Sequence, residues 1–193
     1  MSTILTLRQK LSTLPVFSIA DCKKILPKTS NAYLHLLLHN LMQKKEIFRI
    51  TRGIYTFHPE ITVAAFAYSP FYLGLQQALS IHNLWEQETN PIIITPRKVR
   101  TGLRKFEGNN YFVRKISRKM FFGYKLMNYS GVWVQVSDVE KTLIDMVYYK
   151  QYMGAELKSE FSKSINKTNL NTHLKKVPKK LREKILKLLK KKS

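Results

Sequence analysis

The sequence predicts an α+β protein: short helices, a two-stranded hairpin, a small mixed segment, and a helical tail. Three observations predict it. Apolar residues recur at helical spacing through residue 44, the period then changes to two from residue 46, and helical spacing returns beyond residue 137. The 193-residue chain also carries a formal net charge of +22, and part of that excess coincides with the first change of period.

The N-terminal elements follow in order. Ile4, Leu5, Leu7, Leu11 and Leu14 give a first helical stripe that Pro15 closes. A second helix begins at Phe17-Ser18, with Ser18 as N-cap, Asp21 three residues on, and Ile19, Cys22, Ile25 and Leu26 as its apolar side. Pro27 stops it, and Lys28-Thr29-Ser30 make a turn. Thr29 or Ser30 caps a third helix over about residues 31–44, where Leu34, Leu37, Leu38 and Leu41 fix one face to a core. Residues 46–50 (EIFRI) and 54–57 (IYTF) then alternate as two strands about Thr51-Arg52-Gly53, the glycine permitting the positive φ of a tight turn. Helix, helix, turn, helix, hairpin is the order of a winged helix-turn-helix.

Pro59 opens the second segment. Residues 61–68 (ITVAAFAY) are ambiguous, and residues 72–84 predict a buried helix with Leu75, Ala78, Leu79 and His82 on one side. Residues 91–95 predict a strand, 97–105 a basic loop or ribbon, and 111–116, 121–127 and 132–136 the strands of a small sheet. Ser137-Asp138-Val139-Glu140 reads as a full capping box opening a helix over 138–149, with Val139, Leu143, Met146 and Val147 inward. Residues 153–193 predict lysine-rich helix; near its end Leu181, Ile185, Leu188 and Leu189 form one stripe. No internal repeat or Gly/Ser linker interrupts the chain.

Composition narrows the partners. Residues 1–58 carry nine basic and two acidic side chains, and residues 151–193 carry thirteen and three. A field of that sign attracts polyanions, although lysine-rich codon usage raises lysine with no functional reason. The N-terminal charge is the better evidence, because there it coincides with a motif. One cysteine, Cys22, excludes an internal disulfide and a multi-cysteine zinc site, and its apolar setting suits a small buried hydrophobe. Neither an apolar leader core in residues 1–14 nor a run long enough to span a bilayer is present, so the expectation is a cytoplasmic protein without a membrane partner.

In a helix-turn-helix, the side of the second motif helix opposite the core enters the major groove, N-terminal residues first. A 100° step from the four leucines turns Lys28, Thr29, Ala32, Leu36, His39 and Gln43 outward and puts Tyr33, His35 and Asn40 on the flanks. Lys28, Thr29 and Ser30, with the helix N-terminus, suit phosphate. Asn31, Tyr33, His35 and His39 suit base edges, but the helix lacks the bidentate arginine of the commonest specific contact. Specificity would then lean on DNA shape or on Arg49 and Arg52 of the hairpin. The plain structural reading is that these polar residues cover the solvent face of a small module; winged helices also mediate protein contacts.

Other constellations are weaker. His35 and His39 at i, i+4 have the spacing of two metal ligands, but no third ligand is identifiable. Asp138, Glu140 and Asp145 share one helix; capping explains Glu140 and the helix dipole Asp138, leaving Asp145 the least explained. His82 on an apolar face reads as a satisfied core histidine. Tyr and Phe at 111–129, interleaved with Arg114, Lys115, Arg118 and Lys119, have the makings of a single-strand stacking platform; aromatics alternating into a core with cations outside is the simpler account. No Ser-His-Asp set, phosphate loop or paired-cysteine motif occurs, and neither an enzyme nor a cofactor or metal is expected.

The run RGIYTF after a helix-turn-helix, then YLGLQQALSIHNLWEQ, PIIITPRKVR and GVWVQVSDVEKTLIDMVYY, resembles the AbiEi-type antitoxins of type IV (AbiE) toxin–antitoxin, or abortive-infection, systems. The likeness covers about residues 1–150, and its most distinctive pieces are residues 78–84 and 139–145. It implies an N-terminal winged helix that binds operator inverted repeats and represses its own operon. It also implies a following domain that opposes a nucleotidyltransferase toxin, a functional partner that need not be bound stably. Residues 28–43 with Arg49 and Arg52 match the family's recognition helix and wing, and inverted repeats are compatible with a homodimer. No catalytic residue is carried over. The N-terminal module is more compact than typical members have, and the basic tail has no counterpart.

The expected organisation is therefore a winged helix-turn-helix over 1–58, an AbiEi-like mixed α/β domain over 59–150, and a lysine-rich helical tail over 151–193. The expected function is a DNA-binding antitoxin and transcriptional autorepressor in phage defence. The alternative is an RNA- or nucleic-acid-binding accessory protein that uses the basic ribbon 97–119 and the tail, its winged helix serving protein contacts.

Overall fold

The computed structural model describes residues 3–87 and 89–190; the last three residues of the predicted C-terminal helix lie outside the described residues. The fold is mixed α+β with two sheets. The chain divides into two compact units, Met1–Ser69 with Lys105–Asn110 and Pro70–Arg104 with Tyr111–Ser193.

In the first unit, α1 (Thr3–Leu11) buries Leu7 and Leu11. The predicted stripe is only partly buried: Leu5, within α1, and Leu14, beyond its end, stand 50% and 41% exposed, and the chain turns after Leu11 with the Leu14 amide donating back to the Leu11 carbonyl at 3.1 Å. Phe17-Ser18 is not the start of a helix but a short strand, β1 (Phe17–Ser18). Ser18 nonetheless caps α2 (Ile19–Ile25): its hydroxyl accepts from the Asp21 amide at 3.3 Å, and the Asp21 carboxylate accepts from the Ser18 amide at 3.0 Å. The hydrogen bond from the Ser18 hydroxyl also holds the Asp21 carboxyl below its ordinary pKa.

After the Pro27 turn, α3 (Asn31–Gln43) is capped by Ser30, whose hydroxyl accepts from the Tyr33 amide at 3.2 Å. Leu34, Leu37, Leu38 and Leu41 are buried against Leu7, Leu11, Phe17, Cys22, Ile47 and Tyr55. Burying each leucine contributes roughly 1.5–3 kcal/mol, enough together to fix the rotation of α3 about its axis. The hairpin is β2 (Phe48–Thr51) and β3 (Ile54–Thr56), with Gly53 at φ 78° in the turn. β1 joins them in a three-stranded antiparallel sheet of order β1-β3-β2. Residues 61–68 form a 3₁₀ helix, Ile61–Tyr68, that buries Val63, Ala64 and Ala65.

The second unit departs from the sequence reading where a helix over 72–84 is expected. Tyr72 and Leu73 form β4 (Tyr72–Leu73), and the helix is only α4 (Gln76–Ile81). The pairing of Tyr72 and Leu73 with neighbouring strands takes them out of the helix, Leu75 turns the chain at φ 55°, and Gly74 between them fits because a Cβ there would lie 2.5 Å from the Ile94 side chain. The remaining strands are β5 (Ile92–Thr95), β6 (Gly102–Phe106), β7 (Asn109–Lys115), β8 (Tyr124–Tyr129) and β9 (Val132–Ser137), in a six-stranded sheet of order β6-β7-β5-β4-β9-β8; residues 105–110, where β6 turns into β7, count with the first unit. β4 runs antiparallel to β5 and parallel to β9, and β5 runs parallel to β7. β8 starts three residues later than expected, because a 3₁₀ turn at Arg118–Met120 and Gly123 at φ 71° precede it.

α5 (Val139–Tyr148) carries Leu143, Ile144 and Met146 into the core of this unit. Its N-cap is Asp138, not Ser137: the Asp138 carboxylate accepts from the Lys141 amide at 2.7 Å. Ser137 ends β9, its hydroxyl 2.8 Å from that of Thr142, while the Glu140 carboxylate accepts from the Asn166 amide at 2.6 Å. The chain continues as α6 (Ala155–Ser164), α7 (Lys167–Leu174) and α8 (Lys179–Lys190). Leu157, Phe161, Leu170, Leu174, Val177 and Ile185 join the same core, with Leu181, Leu188 and Leu189 partly buried against it. Among the described residues no helix is long and apolar enough to cross a membrane.

Candidate nucleic-acid interface

With the leucine face of α3 held in the core, its other side is open to solvent. Asn31, Tyr33, His35, His39 and Gln43 are exposed, as are Lys28 and Ser30 ahead of the helix; Thr29 is half-buried. The Thr29 carbonyl accepts from the Lys23 ammonium, which pins the turn between α2 and α3. Ser30 uses its oxygen in the cap, leaving its hydroxyl hydrogen free to donate outward. The remaining outward positions are Ala32, Leu36 and Asn40. Leu36 is 57% exposed and Tyr33 47%, so the face combines amides, imidazoles and two large apolar groups.

The hairpin supplies cations. Arg49 lies on β2 and Arg52 in the turn beside Gly53, both exposed. The pairing of β2 with β3 shifts register between Arg49 and Thr51, a bulge of the kind that re-aims strand side chains. Lys44 and Lys45, just past the end of α3, are also exposed. Two nearby cations are neutralised: Arg8 pairs with Glu46, and Lys24 with Asp21 at 3.3 Å. Among the described residues, no ion pair engages Lys28, Arg49 or Arg52. The first unit thus holds both groups of predicted site residues, the helix set and the hairpin pair. Leu36, Lys44 and Lys45 are absent from the predicted set, although a helical projection already turns Leu36 outward.

His35 and His39 are both on this exposed side. Among the described residues, no group of three or more His, Cys, Asp or Glu side chains is placed to hold a metal ion.

The carboxylates of the 138–145 segment are engaged elsewhere. Asp138 caps α5 and lies 2.8 Å from His173 Nε2, while Glu140 binds the Asn166 amide. Asp145 is fully buried, paired with the Lys141 ammonium and accepting from the Tyr72 hydroxyl at 2.8 Å. Lys141 Nζ also sits 5.3 Å from the Tyr72 ring centroid and 5.1 Å from that of Phe122. Burial pushes the Asp145 carboxyl up and the Lys141 ammonium down, against the attraction between them. Burial, then the Asp145 charge, pushes the Tyr72 phenol well up. An enclosed, mutually satisfied set of this kind holds β4 to α5 and offers no group to a substrate. The one sequence signal for it is the i, i+4 spacing of Lys141 and Asp145. His82 Nε2 lies 2.7 Å from the Ser137 carbonyl, which satisfies that histidine.

Compared with known proteins, the chain matches no protein-family model and no curated protein sequence.

Proposed function

We propose that the protein is a DNA-binding transcriptional autorepressor, its N-terminal unit acting as a winged helix with α3 as recognition helix and the β2–β3 hairpin as wing. One observation carries this reading: an uncharged, solvent-facing side of α3 is accompanied by exposed cations, Lys28, Arg49 and Arg52, that no carboxylate neutralises among the described residues. Phosphate contacts need mobile cations at the rim, and base contacts need hydrogen-bonding and apolar groups at the centre. The likeness of residues 1–150 to AbiEi-type antitoxins supports the further reading that the operon is a type IV toxin–antitoxin system and that the protein opposes a nucleotidyltransferase toxin.

The test is retention of the protein's own upstream DNA against random duplex at physiological salt. Preference for the upstream fragment, weakened by Arg52→Ala and by Tyr33→Ala while nonspecific retention persists, is the expected result. Equal affinity for both duplexes removes the repressor reading. A nucleotidyltransferase reading frame immediately downstream is the expected genomic neighbour for the antitoxin reading.

A further inference from the structure

The exposed side of α3 is free of permanently charged side chains. Residues 31–43 contain no Lys, Arg, Asp or Glu, in a chain of net charge +22. The line opposite the buried leucines runs through Ala32, Leu36, His39 and Gln43, with Asn40 beside it. Leu36 stands in its middle and is 57% exposed. It adds little to the core that its four leucine neighbours fill, so its apolar surface is left for something that approaches from outside. Exposed cations frame this strip: Lys28 precedes the helix, Lys44 and Lys45 follow it, and Arg49 and Arg52 lie on the hairpin. A neutral centre with a basic rim is complementary to a duplex, whose phosphates flank the base edges of the groove.

The side chains at that centre select among base pairs. The guanine edge, N7 and O6, is read best by Arg or Lys, and the strip has neither. The adenine edge, N7 and N6, is matched by an amide such as Asn40 or Gln43, and the thymine C5-methyl by an apolar side chain such as Leu36 or Ala32. We propose that α3 reads A·T pairs in the major groove, with Leu36 packed on a thymine methyl. This rests on the DNA-binding reading above and names the class of sequence it prefers.

The full chain is tested by selecting duplexes from a randomised library at physiological salt, then remaking the selected duplex with deoxyuridine for thymine, which removes only the C5-methyl groups. A·T pairs dominate the expected selected sites, and each methyl buried against the protein accounts for about a fourfold loss on removal. Leu36→Ala is expected to discriminate thymine from uracil duplex about fourfold less than the wild-type protein does, and the uracil duplex with wild-type protein tests the methyl contact without any variant. Selected sites rich in G·C, or wild-type binding indifferent to the methyl, overturn this inference and leave the repressor reading standing. Failure to enrich any duplex overturns both this inference and the repressor reading.

Discussion

Lys141 and Asp145 lie one turn apart on α5 and meet as an ion pair with neither side chain exposed. Taking both charges out of water costs several kcal/mol per ion, which the pair recovers only through close approach and further hydrogen bonds. The Tyr72 hydroxyl on Asp145 and the Tyr72 and Phe122 rings around Lys141 supply part of that compensation. Asp145→Leu alone strands a buried ammonium and is expected to destabilise by about 3–5 kcal/mol. The double replacement Lys141→Met with Asp145→Leu is expected to recover most of that loss. Urea unfolding of the single and double variants measures it; additive costs would mean the two charges do not act as a pair.

Gly123 and Gly131 provide a matched comparison at either side of β8. Both have positive φ, 71° and 78°, but a Cβ at Gly131 meets open space. At Gly123 a Cβ would lie 2.9 Å from both Lys141 Cβ and His173 Nε2. Gly131→Ala is expected to show only the backbone cost, about 1 kcal/mol. Gly123→Ala adds overpacking of about 1–3 kcal/mol against the α5–α7 contact. Thermal unfolding of the two variants gives the difference directly, and equal losses would show that the contact yields without cost.

Local chemistry with a short reach was legible in the sequence: the Ser18–Asp21 box, the α3 leucine face and the Gly53 turn each depend on residues within a few positions. What escaped depended on distant partners. Residues 72–73 are apolar enough for either a buried helix or a strand, and only hydrogen bonding to Ile93, Ile94 and Val136 decides it. Phe17-Ser18 becomes a strand because β3 offers an edge thirty-odd residues later in the chain. Ser137 matched a capping box by spacing, yet β9 extends through it and passes the cap to Asp138. On the candidate site the helical projection turned the polar residues and Leu36 outward, but the bulge beside Arg49 had no sequence signal.

Cys22 is fully buried among the leucines of the first unit. Burial raises its thiol from an ordinary 9.0 to about 11. A folded-state pKa above the unfolded one stabilises the fold fully below pH 9.0 and progressively less as pH rises through about 11. Wild-type stability is therefore expected to fall relative to Cys22→Ala across that window, although the variant is the less stable at neutral pH because it leaves a cavity. Alkylation at pH 8 is expected to require unfolding; rapid labelling of the native protein would show the sulfur accessible.

Salt dependence separates the first unit from the lysine-rich helices as the seat of the proposed DNA affinity. Deleting α8 is a poor test, because Ile185 is buried in the core of the second unit and its removal would damage the fold. Neutralising exposed Lys180, Lys184 and Lys187 to Gln leaves that packing intact. Each cation released from a phosphate lowers the slope of log affinity against log salt by about 0.9, so losing three contacts removes roughly 2.7. Lys28→Ala, Arg49→Ala and Arg52→Ala together are expected to approach that change on the selected duplex, whereas the α8 triple variant leaves the slope nearly unaltered. The opposite pattern, a reduced slope from α8 and none from the hairpin, would transfer nucleic-acid binding to the C-terminal helices and favour an accessory RNA-binding role over repression.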